Sequence, residues 1–145
     1  MFLKELNKKE RIAFINLVHA LSNVDEVFSN HEKELIDEYL EELSLDNESI
    51  EKLTLESAAK ELIDSSDRAK NIIYFELFGV ALIDGEFDKK EIEFLNTLAS
   101  KLNISLKKQQ DFINYFKTVK EAYDGTFVNY ESKLDELEKL ARELI

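Results

Sequence analysis

IDGEFDKKEIEFLNTLASKLNI, residues 83–104, has a counterpart in VDEVFSNHEKELIDEYLEELSL, residues 24–45. Shifted by 59 residues, Asp25 falls on Asp84, Phe28 on Phe87, Glu32 on Glu91, Glu34 on Glu93 and Leu43 on Leu102. Apolar character is kept at Val24/Ile83, Leu35/Phe94, Ile36/Leu95 and Leu45/Ile104. In both stretches an acid precedes a short turn and a phenylalanine sits inside it. An amphipathic run then follows, with apolar residues three and four apart. Identities are few, but the correspondence spans a whole helix–turn–helix. It predicts a duplicated helical hairpin, the two copies packed around a pseudo-twofold axis.

The remainder of the chain agrees with a helical reading. Its 145 residues have the usual length of one domain, and 44% hydrophobic content suffices for one continuous core. There is no proline, and Gly79, Gly85 and Gly125 are the only glycines. Strands joined by tight turns need more breakers than that. The fold class expected is all-α: a single-domain helical bundle of about six to eight helices, one domain over 1–145. Periodicity places a first helix from 2 or 3 to 23, with Ile12, Ile15, Val18 and Leu21 on one side. A second begins at Ser29 and carries Leu35, Ile36, Tyr39, Leu40 and Leu43. Shorter pieces are expected over 47–53 and 56–63, then longer helices over 67–83, 89–102 and 106–123, and a last one from 130 to the end. That last helix bears Tyr130, Leu134, Leu137, Ala141 and Leu144 as a coiled-coil-like seam too short to be stable alone. It docks onto the protein's own core, or meets a second subunit in a homodimer, or meets a partner helix.

Charge narrows the partners. A net charge of −12, from 31 acids against 19 bases, disfavours nucleic acid, which needs clustered lysine and arginine. It suits a divalent cation, a basic protein partner or plain solubility. Without cysteine there is no disulfide, thiolate zinc site or cysteine nucleophile. The N-terminal MFLKELNKKER lacks the apolar core of a secretion signal, and the apolar run 72–83 contains Glu76 and is too short to cross a bilayer. A cytoplasmic protein without direct membrane insertion is expected. No glycine-rich phosphate loop, zinc spacing or nucleophile arrangement occurs, so no catalytic residues are assigned and an enzyme is not expected.

The turn at 84–91 is where chemistry concentrates. Asp84, Glu86, Asp88 and Glu91 place four carboxylates within eight residues, around Gly85. Part of this is helix capping: Asp88 as N-cap with Glu91 three residues on, and Ser29 with Glu32 in the first copy, each preceded by a phenylalanine staple. Asp84 and Glu86 have no such duty, and Asp84 stands at a helix C-terminus where an anion is disfavoured. Crowded carboxylates favour a cation, and hard divalent ions take such oxygens. An EF-hand is excluded, because Lys89 stands where its glycine belongs and Leu95 where its bidentate glutamate belongs. The first turn is poorer: Asp25 and Glu32 remain, but Glu26, Val27 and Ser29 replace Gly85, Glu86 and Asp88. If one turn holds an ion, it is the second. Elsewhere, Glu76 amid IIYFELFGVALI needs a lysine, Arg11, Arg68 or His19 as partner, or must take up a proton, or reach a less crowded surface. His19 is expected as a satisfied core or boundary histidine, and His31 as solvated.

ALIDGEFDKKEIEFL, an apolar helix ending in Asp-Gly with a cap and a glutamate at the next helix start, resembles the TerB-like tellurite-resistance domain. VHALSNVDEVFSNHEKELI looks like the weaker first half of that family's internal duplication. The resemblance covers about 10–125, leaving 126–145 as a C-terminal helix. It implies an all-helical fold of two similar halves whose acidic turns bind a divalent cation, with Asp84 and Glu91 as the best carry-over positions and Asp25 and Glu32 as their counterparts. It also implies a non-enzymatic stress-response or envelope-associated role, since the family occurs alone and as a module of membrane-bound J-domain co-chaperones. The other reading of the residues is a metal-free acidic adaptor for a basic protein partner.

Overall fold

The computed structural model of this chain describes residues 2–24, 32–46, 50–81, 89–124 and 130–145. Among these a 3₁₀ turn, Leu3–Glu5, precedes seven α-helices: α1 Lys8–Ser22, α2 Glu32–Glu42, α3 Leu55–Glu61, α4 Asp67–Ala81, α5 Lys89–Lys101, α6 Leu106–Asp124 and α7 Tyr130–Leu144. No strand occurs among the described residues. The architecture is the all-α bundle that the missing proline and scarce glycine predict.

The 59-residue repeat reappears in the helix ends. Adding 59 to 8–22 gives 67–81, the bounds of α4, and adding it to 32–42 gives 91–101, which lies within α5. At the start of α1 the Glu10 N–H donates to Asn7 Oδ1 at 2.9 Å, and at the start of α4 the Ala69 N–H donates to Ser66 Oγ at 3.1 Å. Both caps satisfy one amide that the first turn leaves without a helical partner. At the other end, Ser44 and Asn103 adopt left-handed φ of 59° and 57°. Each lets two backbone amides turn back onto the last carbonyls: Ser44 to Glu41 and Leu45 to Leu40 at 3.1 and 2.7 Å, Asn103 to Ser100 and Ile104 to Ala99 at 3.2 and 2.9 Å. This paired closure buries Leu45 and Ile104, the residues just beyond it.

Two expected helices differ. The first begins at Lys8, because the Asn7 N–H donates to Glu10 Oε1 at 2.9 Å and completes a reciprocal capping box. The piece expected over 47–53 is not helical over 50–53. There the Asn16 amide of α1 donates to the Glu51 carbonyl at 2.9 Å and accepts from the Leu53 N–H at 2.8 Å. A side chain remote in sequence thus supplies partners that a helical turn would have supplied. Thr54 then caps α3, accepting from Ser57 N–H at 3.1 Å. The caps at Ser29 and Asp88, the staples Phe28 and Phe87 and the Gly85 turn lie outside the described residues.

α1 packs against α2, α3 and α4, while α4 packs against α1, α5 and α6. The first helix of each copy is therefore central, and these two touch each other. Phe14, Leu17, Val18 and Leu21 of α1 are buried, as are Ile72, Ile73, Tyr74 and Leu77 of α4. Each such side chain contributes about 1.5–3 kcal/mol by leaving water. The second copy adds an aromatic cluster: Tyr74, Phe75 and Phe78 of α4 meet Phe112, Tyr115 and Phe116 of α6. Phe78 and Phe116 stack with centroids 5.5 Å apart, and Tyr74 meets Phe112 edge-on at 5.2 Å. The N-terminal turn closes over this end, with Phe2 against Phe75 at 5.8 Å and Arg68 donating to both Glu5 oxygens at 2.7 and 3.0 Å. That hydrogen bond from Arg68 holds the Glu5 carboxyl below its ordinary range.

α7 lies on α6. Leu137 and Ala141 of the C-terminal seam are buried in the common core, so that part of the seam is used within the chain.

Two substitutions test this packing. Ser44→Gly relieves a left-handed serine and is expected to raise stability by about 1 kcal/mol in chemical denaturation, whereas Asn103→Gly gains less because asparagine tolerates that conformation. Tyr74 is fully buried and its hydroxyl has no hydrogen-bond partner among the described residues. Tyr74→Phe should therefore raise the melting temperature, by the equivalent of about 1 kcal/mol; a fall would mean the hydroxyl is bonded after all.

Candidate functional site

Asp84, Glu86, Asp88 and Asp25 lie outside the described residues, whereas Glu32 and Glu91 are described, at equivalent places in the first turns of α2 and α5. Acids at helix N-termini face the positive end of the backbone dipole, so both positions are electrostatically sound. Glu32 contacts His19 Nδ1 near the end of α1. An ionised carboxylate only accepts, so the imidazole donates from Nδ1. His19 is thus an exposed, paired histidine rather than a core one. Glu91 is 2% exposed, far more deeply placed than a surface cap. Among the described residues no three or more His, Asp or Glu side chains converge as metal ligands do.

Three proposed partners of Glu76 are engaged elsewhere. Arg11 donates to the carbonyls of Leu6, Lys4 and Leu43 at 2.8, 2.9 and 3.0 Å, Arg68 to Glu5, and His19 to Glu32. Glu76 is half-buried near Tyr39, whose hydroxyl is pushed well up, first by burial and then by the charges of Glu76, Glu42 and Glu38. Tyr39 therefore remains a neutral hydroxyl at physiological pH. His31 lies outside the described residues.

A second candidate was not foreseen. A groove of about 420 Å³ opens in the first copy, walled by Ile15, Ile36, Ile50 and Leu53, with Asn16, His19, Glu51, Lys52 and Thr54 as its polar lining. Asn16 shapes it: its bonds to Glu51 and Leu53 pin the 50–54 segment, and it also donates to the Ile12 carbonyl at 3.0 Å, so all its polar atoms are used. The signal was present in the sequence. Carrying the 59-residue shift back through the first helix sets Asn16 against Phe75 and His19 against Phe78. Two polar residues thus stand where the second copy has rings.

No family model matches the chain, and neither a curated protein nor a solved structure matches it. Among the described residues no helix is long and apolar enough to cross a membrane.

The groove's dependence on Asn16 is directly measurable. Asn16→Ala strands the Glu51 carbonyl and the Leu53 amide and is expected to cost about 1–3 kcal/mol in urea denaturation. A change within error would show that 50–54 is fixed by other contacts.

Proposed function

We propose that this protein is a non-catalytic, TerB-like helical binding protein whose second acidic turn takes a divalent cation weakly. Asp84 is the principal ligand, with Glu86, Asp88 and Glu91 as supporting oxygens. It works in the cytoplasm with a protein partner, in a bacterial stress-response or envelope-associated assembly.

The observation carrying this reading is the anionic turn around Gly85, where Asp84 and Glu86 have no capping duty. Three further carboxylates precede Glu91 within eight residues, and a hard cation is the counterpart such an oxygen-rich turn favours. The resemblance of ALIDGEFDKKEIEFL to the TerB-like pattern points the same way, and the Asp-Gly stretch is its specific part.

Calorimetric and thermal-shift titrations of chelator-treated protein with calcium, magnesium, manganese and zinc test it. At least one cation should bind saturably, with Kd near about 10⁻⁴ M or weaker, and raise the melting temperature. Asp84→Asn with Glu86→Gln should remove both effects. The absence of heat and of thermal shift with all four ions would end the proposal.

A further inference from the structure

α6 and α7 leave a shallow groove between them, along residues 111–118 of the first and 140–144 of the second. Its apolar lining is Tyr115, Leu140 and Leu144, with Asn114 and Thr118 on the α6 side. Tyr115 is buried and Leu144 half-buried, but Leu140 is 37% exposed, so apolar surface reaches water here. Among the described residues the two charged side chains that line the groove are both acids, Asp111 from α6 and Glu143 from α7.

Neither acid is neutralised by its neighbours. Lys107 and Lys139 each stand four residues before one of them, yet among the described residues neither Asp111 nor Glu143 forms an ion pair. Two other nearby bases are committed elsewhere: Arg142 donates to Glu138 Oε1 at 2.7 Å, and Lys108 Nζ lies 6.0 Å from the centre of the Phe112 ring. The groove is thus an apolar strip with one carboxylate on each wall. Its volume, about 280 Å³, falls below the roughly 300–1,000 Å³ of clefts that enclose small ligands, but suits a few side chains of a larger partner. A second copy of this chain is a poor occupant, since each copy carries a net charge of −12. An extended peptide needs a sheet edge to pair with, and this wall is made of two helices.

We infer that the α6–α7 groove docks a basic amphipathic helix of a protein partner. Acids on opposite walls call for bases on both flanks of an apolar stripe, and an amphipathic helix presents that arrangement. Its apolar residues lie on Tyr115, Leu140 and Leu144, and its lysines or arginines reach Asp111 on one side and Glu143 on the other, their aliphatic stems covering the strip. This surface is separate from the acidic turn at 84–91 and needs no metal, so its test is run in chelator and is indifferent to the outcome of the cation titrations.

The test is a ¹H–¹⁵N NMR titration of the whole chain with a leucine–lysine peptide of about fourteen residues whose leucines fall at helical spacing. A peptide of the same composition, reordered so that no apolar face forms, is the control. The amphipathic peptide should give saturable shifts centred on 111–118 and 140–144 and bind at least about fivefold more tightly than the reordered one. Asp111→Asn with Glu143→Gln should weaken it about fivefold or more. Glu34→Gln with Glu41→Gln makes the same change in net charge at exposed positions of α2 and should weaken it less than about twofold, which separates local contact from bulk attraction. Leu140→Ala, also at an exposed position, tests the apolar part and should weaken binding about threefold or more. Shifts centred elsewhere, equal affinity for the reordered peptide, a similar loss from both charge pairs, or wild-type affinity in the groove variants would each overturn the assignment.

Discussion

Everything in this molecule is arranged around the contact between α1 and α4. Each is the first helix of its copy, each carries its hairpin partner on one side and the following helix on another, and each turns a largely apolar face inward, with Asn16 buried among the apolar residues of α1. Neither hairpin alone encloses a core of useful size. A two-helix unit leaves most of its apolar surface in water, and small assemblies are correspondingly marginal. Joining the two central helices closes both faces at once, and the outer helices, the N-terminal turn and α7 pack onto the result.

The parts of this legible in the sequence were those written in local chemistry. The helix spans from 67 onward follow apolar spacing, and the duplicated hairpin follows from pairs such as Glu32/Glu91 and Leu43/Leu102. The structure extends that duplication to the caps Asn7 and Ser66 and to the left-handed residues Ser44 and Asn103. The parts that escaped depended on side chains reaching across the fold. Helical spacing over 47–53 is genuine, but Asn16 binds the backbone of that segment from 35 and 37 residues away and holds 50–53 out of a helix. His19 is expected in the core or at its boundary because its neighbours Val18 and Leu21 are apolar; it is an exposed histidine paired with Glu32. Asn7 with Glu10 forms a capping box at a place where apolar residues continue on both sides and hide the helix start. Of the six acids singled out, Glu32 and Glu91 are among the described residues: Glu32 meets His19, and Glu91 is buried in the first turn of α5.

The two copies share the helix bounds 8–22 and 67–81 and differ in their interiors: Tyr74, Phe75, Phe78 and Phe112 pack their rings together in the second, whereas Asn16 and His19 stand at the places of Phe75 and Phe78 in the first. The α1–α4 contact joins the two.

Native-state hydrogen exchange addresses this account most directly. If α1 and α4 form one core, their central amides, including those of Leu17, Val18, Ile73 and Leu77, will exchange only through global unfolding, with a common opening free energy equal to that from denaturant melts. Opening of α1 at clearly lower free energy than α4 would contradict it, and would mean that the two copies are separate units leaning on one another.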